Sequence, residues 1–291
     1  MKSRVLIIGY GDIGARVAAL LLPTYRVYAL IRKGAASKEA EDVRKSGVFP
    51  VFGDLDNRQS LRRIACIAPT IFHFAPPPLN GQEDTRTKNL LAALNGQVVN
   101  RLIYISTTGV YGDCNGAYVD ETRPLKPQSP RAVRRVHAEA QLRAWALRTG
   151  AKLAILRAPG IYSATALPIA RLQAATPAIV DAEDSYSSHI HADDLSSAAV
   201  TAMRHAGSSR AYNIADNSRL KMGEYFDAVA QAASLPAPPR LPRAQVQAQV
   251  SPMLWSFMQE SRRIVNARML KELQLKLRWP TVFDFLKQFK P

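Results

Sequence analysis

The sequence predicts an α/β protein built on a doubly wound parallel sheet, with a smaller part toward its C-terminus. Three observations carry this. An apolar run, Val5 to Ile8, passes without a spacer into a glycine-punctuated turn, Gly9 to Gly14, and then into the helical run Ala15 to Leu22. Short β-rich segments and amphipathic segments alternate through the first half, the pattern of βαβ units with right-handed crossovers. The 291 residues exceed one average domain, so one large unit with an appendage is the natural division.

The first element decides most. Gly9-Tyr10-Gly11-Asp12-Ile13-Gly14 has the G-x-G-x-x-G spacing with a strand before it, a helix after it and Pro23 closing that helix. In such a turn the first glycine permits the tight bend, the second lets the backbone approach a pyrophosphate, and the third lets helix and strand pack closely. The free N–H groups at the helix start then face the phosphates. These residues are the expected dinucleotide site of a Rossmann-type fold.

The second strand, Arg26 to Ile31, selects the cofactor. An NAD site places an acid about 20 residues past the glycines, and an NADP site offers arginine to the 2′-phosphate. Ala29, Leu30 and Ile31 carry no acid, whereas Arg32 and Lys33 supply two cations. The reading favours NADP(H) over NAD(H), the alternative being a solvated basic turn.

Further elements follow in order: a helix over Glu39 to Ser46, a strand over Val48 to Phe52 ending near Asp54 and Leu55, and helical character from Asn57 to Ile64. A fourth strand, Thr70 to Ala75, runs through Phe74 and Ala75 into Pro76-Pro77-Pro78, a stiff exit that no ladder can continue. His73 reads as a packed core residue. A helix over Thr85 to Leu94 and a strand over Arg101 to Ser106 complete the alternation.

Composition bounds the function. The formal charge of +16 and pI near 10.1 suit an anionic ligand, but the basic residues are dispersed with no run of five, which disfavours a nucleic-acid surface. Cys66 and Cys114 match no metal or disulfide framework, which fits a reducing cytoplasm. Met1 opens onto the first strand, so a signal peptide is not expected, and no apolar run reaches the roughly 18 residues that span a bilayer.

Ser106-Thr-Thr-Gly-Val-Tyr-Gly112, with Asp120-Glu121 and Pro124-x-x-Pro127 after it, resembles the extended short-chain dehydrogenase/reductase superfamily, in its NAD-dependent epimerase/dehydratase branch. Leu156 to Tyr162, containing Pro159 and Ile161, is similar to that family's sixth-strand exit. His191-x-Asp193-Asp194 is similar to its His-x-x-Asp segment, and Tyr212-Asn213-Ile214 to its Tyr-Asn-Val strand. The resemblance spans nearly the whole chain through the order and spacing of short motifs. It implies a nicotinamide cofactor, with Phe74, Ala75, Pro76, Pro159 and Ile161 near it, and a small carbonyl, hydroxyl or sugar-like substrate. The fold admits a homodimer through its helices.

In the superfamily a Ser/Thr holds the substrate oxygen and a Tyr-x-x-x-Lys pair, on one helical face, transfers the proton and holds the ribose. Thr107 matches the hydroxyl position, with Thr108 beside it. Arg131 stands where tyrosine belongs and Arg135 where lysine belongs. The atypical, YeeZ-like members also look as if they lack the pair. Arginine keeps its charge at physiological pH, so Arg131 cannot exchange a proton. Arg135 can still bond a ribose or phosphate and Arg131 can clamp an anionic group, the alternative being two solvated arginines. Val133, Val136, Ala140 and Ala144 supply the expected buried stripe, leaving the Arg131, Arg135 and Glu139 face free. Tyr111, Tyr162 and His137 are the nominated substitute proton donors, each with a plainer reading as a core or helix residue.

His189-Ile-His191-x-Asp193 is read as the connection into a helix capped by Asp193 or Asp194, not as a metal site. Met269, Leu270, Leu273 and Leu277 read as the inside of a packed lid with a basic outside. Residues 1–158 form the expected cofactor domain, rejoined by 189–216, and 160–188 with 220–291 form the substrate side. Two functions follow: an NADP(H)-dependent oxidoreductase or epimerase-like enzyme, or a non-catalytic NADP(H)-binding regulator or redox sensor, which the missing pair favours.

Overall fold

The computed structural model describes residues 2–32 and 34–290. Lys33, expected to share the 2′-phosphate, lies outside the described residues. Seven strands form the main sheet: β1 (Ser3–Ile8), β2 (Tyr25–Ile31), β3 (Phe49–Phe52), β4 (Thr70–His73), β5 (Arg101–Thr107), β6 (Lys152–Ala158) and β7 (Arg210–Asn213). Their order is β7-β6-β5-β4-β1-β2-β3 and every pairing is parallel. The chain leaves β1 outward to β2 and β3, then returns to β4 on the other side. The strand order therefore reverses between β1 and β4, where open α/β sheets bind ligands.

β1 is buried on both faces, and its period-2 alternation divides the core. Val5 and Ile7 face a cluster with Val17 and Leu21 of α1 (Asp12–Leu21), Ala40 and Val43 of α2 (Lys38–Lys45), and Leu195, Ala199 and Met203 of α5 (Ala192–His205). Leu6 and Ile8 face the opposite cluster. It contains Leu61 and Ile64 of a 3-10 turn (Arg58–Ile64), Leu90 of α3 (Thr85–Ala93), and Leu142 and Trp145 of α4 (Pro130–Thr149). The helix expected over residues 57–64 is thus a tighter 3-10 turn.

β4 ends at His73, two residues short of expectation, because the N–H groups of Phe74 and Ala75 both turn to the carbonyl of Ile8, at 2.7 and 3.0 Å. This clamps the exit of β4 onto the glycine turn. α4 starts at Pro130, where the Ser129 hydroxyl accepts the Ala132 N–H at 3.3 Å, and ends at Gly150, whose φ of 73° closes the helix.

The buried face of α4 is not the expected stripe. Ala132, Ala138, Leu142, Trp145 and Ala146 face inward, while Ala140 and Ala144 are exposed. Glu139 is also buried, because Arg157 of β6 reaches it with two hydrogen bonds of 3.1 and 2.7 Å. α5 is capped by His191 rather than by an aspartate: its Nδ1 accepts the Asp193 N–H at 3.1 Å. Asp194 instead accepts the N–H groups of Arg278 and Trp279, tying the C-terminal segment to this helix start.

The smaller part has its own core, in which Tyr162, Leu172, Tyr225 and Phe226 pack with Trp279, Val282 and Phe285. It includes α6 (Met222–Ala232) and short parallel strand pairs, of which residues 160–162 with 189–191 and 178–179 with 240–241 matter most. Of Met269, Leu270, Leu273 and Leu277, expected to line a lid, Met269 and Leu273, together with Leu275, lie instead inside the protein. They are buried in the main core cluster, with Leu270 and Leu277 packed against it, and the helix over Ala267–Glu272 lies against β7, so the chain returns to the main sheet before its last helix. Among the described residues no helix is long and apolar enough to cross a membrane.

Candidate functional site

Two cavities open at the carboxyl ends of the strands. The first, of about 450 Å³, is the glycine turn and its surroundings: Gly9, Tyr10, Gly11, Asp12, Ile13 and Gly14, with Arg32 after β2, Asp54 and Leu55 after β3, and Phe74, Ala75 and Pro76 after β4. The sequence brings each of these to the rim because each follows the last residue of a parallel strand.

The glycines divide their tasks. Gly9 has φ of 95°, and a Cβ there would stand 2.4 Å from the Ala75 nitrogen, so the turn cannot close with a side chain. A Cβ at Gly14 would lie 2.6 Å from the Gly9 carbonyl, which is the close strand–helix packing. A Cβ at Gly11 meets nothing within 4 Å and faces open space.

Asp12, in the first turn of α1, would oppose an anion, but Arg16 neutralises it at 3.0 Å and also pairs with Asp193. Two charged lining residues, Glu39 and Arg86, carry no signal in the sequence. Glu39, in the first turn of α2, places an acid in the same cavity as Arg32. Arg86 of α3 makes a bidentate pair with Asp56 at 2.8 and 2.7 Å and also donates to the Pro76 carbonyl at 3.2 Å. That guanidinium holds the Asp56 carboxyl below the usual carboxylate range. Spacing gave no signal for either residue, since each sits within a helix and reaches the cavity only through its packing.

The second cavity, of about 400 Å³, holds Thr107, Thr108 and Arg131, together with Pro159 and Ile161 beyond β6. The Thr107 hydroxyl accepts the Gly109 N–H at 3.2 Å, which fixes the turn after β5 and leaves its own proton to donate. The smaller part contributes Arg171, His189, Tyr225, Phe226, Phe257, Glu260 and Arg262 to this wall. None of these was nominated from the sequence. They come from four separate stretches that only the tertiary fold assembles.

Arg135 lines neither cavity. Its Nη1 donates to the Tyr104 hydroxyl at 2.9 Å and to the Ile105 carbonyl at 2.8 Å, fastening α4 to β5. Its charge, added to complete burial, keeps the His73 imidazole neutral, with its pKa pulled down to about 3 chiefly by desolvation. His73 bonds Thr87 at 2.9 Å inside the core, as a packed residue should.

The three nominated proton donors also lie elsewhere. Tyr111 is 1% exposed, donates to Asn213 at 2.7 Å and accepts from Arg157 at 2.8 Å, so its hydroxyl completes the buried Arg157–Glu139 network. Tyr162 is fully buried among Phe285 and His191, and burial pushes its phenol well above the ordinary range. His137 Nδ1 accepts the Asp84 N–H at 3.0 Å at the start of α3. Periodicity cannot distinguish a tyrosine facing a cavity from one facing a core.

His189 stacks on Tyr225 with ring centroids 4.0 Å apart, and His191 lies in an aromatic nest with Trp279 and Phe285. Among the described residues no group of three or more His, Cys, Asp or Glu is arranged to hold a metal ion.

The model of the NAD dependent epimerase/dehydratase family matches residues 5–215. No curated protein matches the sequence. Among solved structures, a conserved protein of unknown function from Silicibacter pomeroyi DSS is similar at 25% identity, with a TM-score of 0.79, covering 98% of this chain and 97% of that one. UDP-glucose 4-epimerase from Thermotoga maritima, solved with UDP-glucose, is 18% identical with a TM-score of 0.77 over 98% and 96% of the chains. dTDP-glucose 4,6-dehydratase from Bacillus anthracis, in complex with NAD, is 17% identical with a TM-score of 0.79 over 98% and 94%. At these last two identities the likeness is one of fold.

Proposed function

The chain belongs to the NAD dependent epimerase/dehydratase family, and we propose that it is an NADP(H)-binding, oxidoreductase-type enzyme acting on a small carbonyl, hydroxyl or sugar-like substrate. The observation that carries the cofactor choice is Arg32, which lines the first cavity immediately beyond β2, where the 2′-substituent of a bound nucleotide ends. A bound nicotinamide supplies the hydride chemistry. The chain's own residues then hold and orient: the α1 start and Gly11 offer backbone to the pyrophosphate, and the Thr107 hydroxyl can donate a hydrogen bond to a substrate oxygen. Arg131 polarises or clamps and transfers no proton. A cytoplasmic location and a homodimer belong to the same proposal.

Glu39 favours a second cofactor, because an acid in the same cavity suits a free ribose hydroxyl, and several of the similar structures were solved with NAD. Fluorescence titration with NADPH and NADH separates the two. We expect NADPH to bind at least tenfold more tightly than NADH, and Arg32→Glu to abolish that preference. Equal or tighter NADH binding by the wild type would overturn the NADP assignment.

The placement of Arg131 and Arg135 favours a second class of function, a cofactor-binding sensor in which no hydride moves. NADPH oxidation assayed against panels of aldehydes, ketones and nucleotide sugars decides between them. Tight NADPH binding with no turnover across all the panels would establish the sensor.

A further inference from the structure

Arg131 has neither an ion-pair nor a hydrogen-bond partner among the described residues. Its guanidinium is part-buried in the wall of the second cavity and stacks 4.0 Å from the Phe257 ring centroid. Both other arginines of that wall make hydrogen bonds, and of the two Arg262 has the acid partner. Arg262 donates to Glu260 at 2.6 Å and to the Gly112 carbonyl at 2.8 Å. Arg171 donates to the Pro177 carbonyl at 3.0 Å and lies 3.9 Å from the Phe226 ring centroid.

Three arginines and one glutamate leave a formal excess of two positive charges on this wall. Removing cations from water without a partner is costly, and burial pulls the Arg131 pKa downward for that reason. An anion entering the cavity relieves the cost, and a planar fork held over an aromatic ring can take a carboxylate in two hydrogen bonds. Arg131 alone of the three makes no hydrogen bond among the described residues, so the anionic group is placed at its fork. Phe226, Phe257, Leu254 and Met222 give the rest of the lining a large apolar share beside the hydroxyls of Thr107, Thr108, Tyr186, Ser187 and Ser188, and 400 Å³ is at the small end of ligand cavities.

We propose that the second cavity binds a small monocarboxylate with an apolar body, its carboxylate held by Arg131 beside Thr107. The proposal rests on reading this cavity as the substrate site of the function given above. It replaces the open substrate class by one defined by a single anionic group. The arginine at the tyrosine position then serves to hold the substrate.

The matched probes are 3-phenylpropanoate and 3-phenylpropanamide, titrated calorimetrically into the full chain with and without NADPH, alongside UDP-glucose. We expect the carboxylate to bind at least tenfold more tightly than the amide. Arg131→Met should erase that difference while leaving NADPH affinity within twofold. Arg131→Lys, which keeps the charge and loses the fork, should weaken the carboxylate about threefold and leave the amide unchanged; it carries the test if Arg131→Met does not fold. Equal binding of acid and amide, discrimination retained in Arg131→Met or undiminished in Arg131→Lys, no binding of either probe, or binding of UDP-glucose in place of the carboxylate would each overturn the proposal. Failure of the cofactor reading shows separately, as loss of NADPH binding by the wild type.

Discussion

At the scale of single residues, the buried Arg157–Glu139 pair replaces the exposed helix face that the spacing of α4 suggests. Both side chains are almost wholly buried, and Tyr111 and Asn213 satisfy the outer positions of the network. Removing one partner strands the other charge in the core. Glu139→Ala should therefore cost about 3–5 kcal/mol in urea unfolding, whereas Glu139→Gln with Arg157→Met together should cost much less than the sum of the single changes. A single-variant loss below about 1 kcal/mol would show that the pair is solvated. The sequence displayed both residues, yet nothing in their spacing reveals that a helix glutamate and a strand arginine 18 positions later meet.

At the scale of elements, the β1–turn–α1 unit behaves as its sequence says it must. Gly9→Ala forces a side chain against the Ala75 backbone at a φ of 95° and should destabilise the fold by about 3 kcal/mol or more. Gly11→Ala meets only open space, so stability should stay within about 1 kcal/mol while NADPH affinity falls at least tenfold. Thermal melts and cofactor titrations on both variants check this; a Gly11→Ala protein that binds NADPH normally would mean the pyrophosphate does not approach this backbone. The turn was legible because strand, bend and helix are contiguous and each is set by local geometry. The lid reading of Met269 and Leu273 failed because helical periodicity shows that a face is apolar and not which core receives it.

At the scale of the whole molecule, burial of ionisable groups sets the response to pH. Desolvation pulls His73 to about 3 and both His189 and His191 to about 4, so all three stay neutral in the fold, while the unfolded chain protonates near 6.5. Their contribution to stability is complete above pH 6.5 and is lost as pH falls toward the folded values. An NMR titration of the native protein should find these three imidazoles neutral down to about pH 5. Burial raises Asp216 instead, to about 7 from 3.8, so its effect has the opposite sign: the unfolded carboxyl ionises first and stability falls as pH rises between those values. Asp216→Asn should accordingly gain on the wild type by about 1.4 kcal/mol per pH unit between roughly pH 4 and 7 and level off above. A pH-independent difference would show that Asp216 is ionised in the fold.

The alternating α/β plan, the glycine turn, the basic residue beyond β2 and the arginines standing where the family has tyrosine and lysine can all be read along the chain. These depend on residue type and on spacing within one strand–turn–helix unit, where backbone geometry leaves few options. Which of those arginines is left without a partner emerges from long-range packing. Arg135 is spent on Tyr104 and Ile105, Tyr111 and Tyr162 are enclosed in cores, and Arg131 faces a cavity whose far wall comes from residues up to 131 positions away, at Arg262. Local pattern fixes where a side chain starts; burial and long-range partners fix what it is left to do.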